Sequence, residues 1–129
     1  MKLLGNGNSN VRSSGAYSLG ELNKNSNTVI DALMKLLDDQ DSKVCSSAAN
    51  ALGKLGKESE AVIKALLNLF SDKNQKVRSS VAEALVKLGK RFNNVPHLIE
   101  QWLQVNQNNE NIGHLIDVLQ QIVTADFVN

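Results

Sequence analysis

Val29, Ala32, Leu33, Leu36 and Leu37 follow one another at spacings of 3, 1, 3 and 1, which draws one apolar stripe along a helix. The stripe returns 33 residues on as Val62, Ala65, Leu66, Leu69 and Phe70, and 33 further as Val95, Leu98, Ile99, Trp102 and Leu103. Between these segments stands a second amphipathic run: VRSSGAYSLGELNK from Val11, VCSSAANALGKLGK from Val44 and VRSSVAEALVKLGK from Val77. Seven of its fourteen columns are identical in all three copies, again at intervals of 33. A fixed period in the range of about 20–50 residues marks a solenoid, whose units bury their apolar faces only against neighbours. Each unit therefore reads as helix A, turn, helix B. The predicted helices are 10–23, 27–38, 42–56, 59–70, 75–91, 95–105 and 110–124, an all-α solenoid of about three and a half repeats. In the B helices the stripe Val44, Ala48, Ala51, Leu52, Leu55 is rich in small residues, which let helices approach closely.

Capping residues keep the same register. Asn8, Asp41 and Asn74 stand three residues before each B-helix valine, where a side-chain oxygen can accept from a free backbone N–H. Gly56 and Gly89 follow the last apolar residue of their helices and are expected to close them in the left-handed conformation, with Asn23 in that place in the first copy. Pro96 suits the first turn of the third A helix, where its missing N–H costs little.

Both ends depart from the period. Lys2-Leu3-Leu4 falls 33 residues before Lys35-Leu36-Leu37, so the chain is expected to start inside the last turn of an A helix, as a fragment of a longer array would. At the other end Ile116, Leu119 and Ile122 match Ala82, Leu85 and Leu88 only at +34, as in a degenerate terminal repeat. The expected units are 1–24 (truncated), 25–57, 58–91 and 92–129 (capping), forming one domain. The apolar side of the first B helix, with Val11, Leu19 and Leu22, is left short of cover by this reading. Self-association or fraying through the first repeat follows.

Composition changes the picture little. With 129 residues, 14 basic and 13 acidic, the net charge is +1, so no strong global field draws nucleic acid or membrane. No apolar run reaches the ~18 residues of a membrane span. Cys45 stands alone, which forbids an internal disulfide and suits a reducing, cytoplasmic setting.

The ankyrin and tetratricopeptide signatures are absent, although their periods are similar. The run D-x-x-x-x-V-R-x-x-A-A-x-A-L-G-x-L-G, present from Asp72 to Gly89, from Asp39 to Gly56 and more weakly from Asn6 to Asn23, resembles the HEAT repeat in its short form named after phycobilisome lyases. Arrays of this kind in cyanobacterial multidomain signalling proteins, where they follow a NACHT-type NTPase module, are similar. The resemblance implies a ladder of charge-assisted hydrogen bonds between the turn aspartates and the arginine after each valine. Here Asn6, Asp39 and Asp72 face Arg12, Cys45 and Arg78. Cys45 interrupts the series, so Asp39 is expected to turn to Arg12, to Arg78 or to turn amides. As a substituted ladder position Cys45 reads as structural, not as a reactive thiol.

Catalytic chemistry finds no footing. His97 and His114 stand alone, and the His-Glu pairs of the iron-dependent hydroxylase that the fold resembles are missing. His97 is expected in solvent and His114 over the end of the last helix. Gly5-Asn6-Gly7 reads as a turn, and Asp38-Asp39-Asp41 as turn and cap residues without a calcium-loop pattern. Trp102 takes a core-stripe position, equivalent to Leu36 and Leu69.

The columns that vary on this constant frame are different. They read Tyr17, Asn50, Glu83 and Glu21, Lys54, Lys87, on the B-helix face that in solenoids lines the concave surface. We read these six as candidate protein-binding residues and the chain as a non-catalytic interaction scaffold, the recognition array of a larger signalling protein, with no cofactor and no metal. Two alternatives remain. Lys54, Lys57, Lys87, Lys90 and Arg91, with Lys24 in the same helix-end column, could grip a phosphate backbone weakly. A bilin lyase-type subunit would require a partner and a chromophore pocket.

Overall fold

The computed structural model describes residues 5–22, 26–72 and 74–128. Among these residues seven α-helices follow in order: α1 (Ser9–Glu21), α2 (Asn27–Leu36), α3 (Ser42–Leu55), α4 (Glu60–Asn68), α5 (Gln75–Arg91), α6 (Val95–Val105) and α7 (Ile112–Val128), with a 3-10 turn at Leu69–Ser71 after α4. Among the described residues there is no strand. The fold is an all-α solenoid. Its B helices α1, α3, α5 and α7 stack in one row, and the A helices α2, α4 and α6 pack on one side of that row.

The helix starts follow the expected chemistry. The side chains of Asn8, Asp41 and Asn74 accept from the backbone amides of Asn10, Lys43 and Lys76 respectively. Ser26 and Ser59 do the same for α2 and α4, through the amides of Val29 and Val62. Each bond satisfies one of the N–H groups that a helix start leaves without a partner. Pro96 lies in the first turn of α6.

The core is continuous between the two layers. Leu33, Leu66 and Ile99 from the A helices and Val44, Leu52, Val77, Leu85 and Leu88 from the B helices are all but sealed from solvent. At Gly20 an added Cβ would stand 2.9 Å from the Cα of Ala51, and at Gly53 it would stand 2.8 Å from the Cα of Ala84. Glycine facing alanine is what lets α1, α3 and α5 lie this close, since backbone cannot yield as a side-chain end can.

Three expectations need correction. Gly56 does close α3 in the left-handed conformation, at φ 60° and ψ 40°. Gly89 does not close α5, which continues to Arg91. There the missing side chain makes room for Ile122, whose Cδ1 would stand 2.3 Å from a Cβ at position 89. In α7 the buried stripe is Leu115, Val118 and Ile122, with Leu119 half-buried, whereas Ile116 is 42% exposed. Its counterpart Ala82 faces α7, but among the described residues nothing packs on the far side of α7. Trp102 packs on the core only in part, and its Nε1–H donates to Asn68 Oδ1 at the surface, 3.3 Å away. Leu3, Leu4, Asn23 and Lys24 lie outside the described residues.

Candidate functional site

The candidate surface is the side of the B-helix row turned away from the A helices. Tyr17, Glu21, Lys54, Glu83 and Lys87 are exposed there and Asn50 is half-buried. The repeat dictates this placement: the apolar columns of each B helix are taken up by the A helices and by the neighbouring B helices, which leaves one polar stripe per helix.

The stripe is not uniform. Lys54 reaches back from α3 to α1, where its Nζ pairs with Glu21 and lies 4.9 Å from the centre of the Tyr17 ring. Glu21 holds the Lys54 ammonium above its ordinary lysine range through that hydrogen bond. Three of the six candidate residues thus form one closed cluster. Glu83, Lys87 and the nearby Lys90 form no ion pair among the described residues. They line a groove of about 440 Å³ between α5 and α7, with Ala82 and Val86 beneath and His114 and Gln121 opposite. Val86 occupies the column of Gly20 and Gly53.

The basic column is weaker than its sequence suggests. Arg91 lies against Gly56 and 5.7 Å from the Phe92 ring, away from the groove. Lys57 bonds to Asn27. Lysines committed to neighbours cannot neutralise phosphates without giving those contacts up.

At the turns, the structure forms one carboxylate rung of the expected ladder. Arg12 donates through Nε and Nη2 to Asp39 at 2.9 and 3.1 Å, and through Nη1 to the carbonyl of Asn6 at 2.8 Å. The fork joins the turn before α1 to the turn before α3. The hydrogen bond from Arg12 is the largest cause holding the Asp39 carboxyl below its ordinary range. Asp41 is lowered too, first by the hydroxyl of Ser9 and then by the amide of Lys43.

The second and third rungs differ. Cys45 is buried and its thiol donates to the carbonyl of Leu37, 3.1 Å away. Burial, with Asp72, Asp38 and Asp39 adding to it, pushes the thiol pKa up to about 11, the opposite of what a reactive cysteine needs. Arg78 was expected to meet a carboxylate. It donates instead to the main-chain oxygen of Asp72 at 2.6 Å, because the next turn offers Val105 and Asn106 where an aspartate would stand. Asp72 spends its side chain on the amide of Asn74.

What sequence reasoning missed are the asparagines that replace this ladder at the last junction. Asn111 Nδ2 donates to the carbonyl of Phe70 at 2.7 Å, and Asn109 Nδ2 to Ser71 Oγ at 3.0 Å. Asparagine supplies both a donor and an acceptor, so it can bind a turn carbonyl without a counter-charge. The Asn-rich stretch 106–111 was the available signal.

His97 is exposed, and His114 stands edge-on to Phe70 with ring centres 5.6 Å apart. Among the described residues no group of three or more His, Cys, Asp or Glu side chains could hold a metal ion. No helix among them is long and apolar enough to cross a membrane.

A two-layer helical array with such a turn rung and a polar open face defines an α-solenoid of helical repeats. The family model for HEAT repeats matches residues 1–86 and again 30–120, and the chain belongs to that family. Comparison with curated proteins finds no match. Among solved structures, two crystal structures of engineered proteins from the Northeast Structural Genomics Consortium are similar, each at 22% identity over 94% of this chain, with TM-scores of 0.63 and 0.60. The chain spans 60% of the first and 36% of the second. At that identity the likeness speaks to the fold.

Proposed function

We propose that this chain is a non-catalytic protein-interaction scaffold, the recognition array of a larger signalling protein. HEAT repeats commonly mediate protein–protein interaction. One observation carries the reading: residues that change from repeat to repeat, Tyr17, Asn50, Glu83 and Glu21, Lys54, Lys87, occupy equivalent places on the open face of a frame whose buried columns barely change. A stiff array of this kind recognises a folded partner through a few side chains per repeat, with the binding energy concentrated in some of them. Resemblance to the phycobilisome-lyase-like arrays of NACHT-type proteins favours a sensing role at one end of a longer chain, with repeats dividing near residues 24, 57 and 91.

A photo-crosslinking side chain placed at position 50 or 87, on the open face, tests this against positions 31 and 97, which are exposed on A helices. Discrete protein adducts from 50 or 87 alone are expected in extract of the native host. Adducts of equal yield from all four positions would remove the basis for the reading. Weak phosphate-backbone binding is the other reading of the same lysines. Because Lys54 and Lys57 are engaged with neighbours, duplex or single-stranded DNA is expected to bind no tighter than ~100 µM at physiological salt.

A further inference from the structure

We infer that the groove between α5 and α7 is the principal docking site of the open face, and that it takes a short acidic peptide segment carrying an apolar residue between carboxylates. This deepens the scaffold reading and rests on it. The groove exists because the packing rule of the other B helices fails here. Gly20 and Gly53 let α1, α3 and α5 close onto Ala51 and Ala84. Their equivalent Val86 carries a branched side chain, and at Gly89 the space is taken by the Ile122 side chain and not by backbone. Between α5 and α7 this leaves a groove of about 440 Å³ beside Ala82 and Val86, in the range of sites that take a few residues of a ligand.

Its chemistry selects the occupant. The floor of Ala82 and Val86 suits a small apolar side chain. Lys87 and Lys90 on its rim make no ion pair among the described residues, while Lys54, one repeat earlier in the Lys87 column, is already held by Glu21. Glu83 opposes them with a single charge, which leaves the rim net cationic and disfavours a basic ligand. His114 and Gln121 on the opposite wall offer polar groups to a peptide backbone. Charge complementarity of this kind mainly sets which partner binds and how fast.

The test is a titration of isotope-labelled protein with the peptide acetyl-Glu-Asp-Leu-Asp-Glu-amide at physiological salt, read by amide chemical shifts. Saturable shifts centred on Ala82, Val86, Lys87, His114 and Gln121 are expected, and the neutral peptide with Gln and Asn in place of Glu and Asp should not saturate. Lys87→Glu with Lys90→Glu should weaken binding by about tenfold or more. Gln121→Trp, at an exposed position across the groove, should block it without charge change, and Lys35→Glu, exposed on α2 away from the open face, should leave it unaltered. Shifts centred on Tyr17 and Lys54, or affinity indifferent to the double reversal, would overturn the assignment. So would single-stranded DNA moving the same amides at higher affinity, which would make the groove a phosphate site. If no peptide binds here while position 50 still crosslinks a protein, the groove assignment fails and the scaffold reading stands. Loss of both would remove both.

Discussion

Where α1 meets α3 and α3 meets α5, glycine lies over alanine and the backbones touch. Where α5 meets α7, valine stands in the glycine column and the helices part beside it. The charges follow the packing. Across the first junction Glu21 and Lys54 close on each other, and Arg12 forks onto Asp39. Across the last, Lys87 and Lys90 make no ion pair among the described residues, and the turn is tied by the uncharged Asn109 and Asn111. Lys54 finds Glu21 33 residues before it, whereas Lys87 at the same interval finds Lys54, so the column pairs once and leaves Lys87 without an ion pair among the described residues. At the last junction the change to +34 and the valine at position 86 accompany the groove beside it.

The comparison breaks most sharply at position 53. Gly53→Val gives the middle junction the residue of the last one, and the new Cβ would stand 2.8 Å from the Cα of Ala84. Overpacking against backbone is expected to cost about 3 kcal/mol, only slightly offset by the better helix propensity of valine. The reverse change, Val86→Gly, removes a half-buried side chain and should cost about 1–2 kcal/mol, mostly from glycine in a helix interior and lost burial. Denaturant midpoints check both. Equal losses would mean that the glycine column does not set the helix spacing.

Next in size is the rung at Asp39. Asp39→Asn should lower Tm by about 4 °C near neutral pH, since two charge-assisted bonds become weaker neutral ones. The folded carboxyl titrates below its unfolded value near 3.9, so its contribution is full above that pH and fades as pH falls through the lower, folded value. The Tm gap between wild type and Asp39→Asn should therefore hold from pH 7 down to about 4 and shrink only below it. A gap that closes by pH 6 would point to some other group. Arg78→Ala should cost less than Asp39→Asn, because Arg78 holds a main-chain oxygen and no carboxylate.

Much of this was legible in the sequence, because each legible feature is local and repeated. The seven helices, the Asn8, Asp41 and Asn74 caps and the Gly56 closure rest on neighbours within one turn. The exposure of Tyr17 could be read from its varying column. The misreadings share another origin. Gly89, Ile116 and Arg78 were assigned by analogy with earlier repeats, yet each looks toward the next repeat, where the period slips. What such a residue does depends on a partner that the period no longer specifies. The groove between α5 and α7 was illegible for the same reason.

A smaller effect tests whether the ladder can be repaired. Cys45→Arg restores the repeat consensus beside Asp72, which lacks a cationic partner among the described residues. Tm should rise by about 2 °C, and Asp72→Asn should cancel the gain if the new guanidinium forms a fork like that of Arg12. A gain that survives Asp72→Asn would come from something other than a rung.

The smallest expected effect separates the two halves of the open face. Lys54 and Lys87 share a column and both are exposed, so neither should matter much to stability. Lys54 nonetheless has Glu21 and the Tyr17 ring to lose, and Lys87 has no ion-pair partner among the described residues. Lys87→Ala should leave Tm within about 1 °C, whereas Lys54→Ala should lower it by slightly more than that at low ionic strength. An exposed ion pair is screened within a few ångströms at molar salt, so the difference between the two variants should shrink in ~1 M sodium chloride. Any residue of it would measure the ring contact, which salt screens less because the lysine stem also packs there. Identical melting for both variants at every salt concentration would show that the cluster at Tyr17 is as open to a partner as the groove beside Val86, and the distinction between the two regions would rest on packing alone.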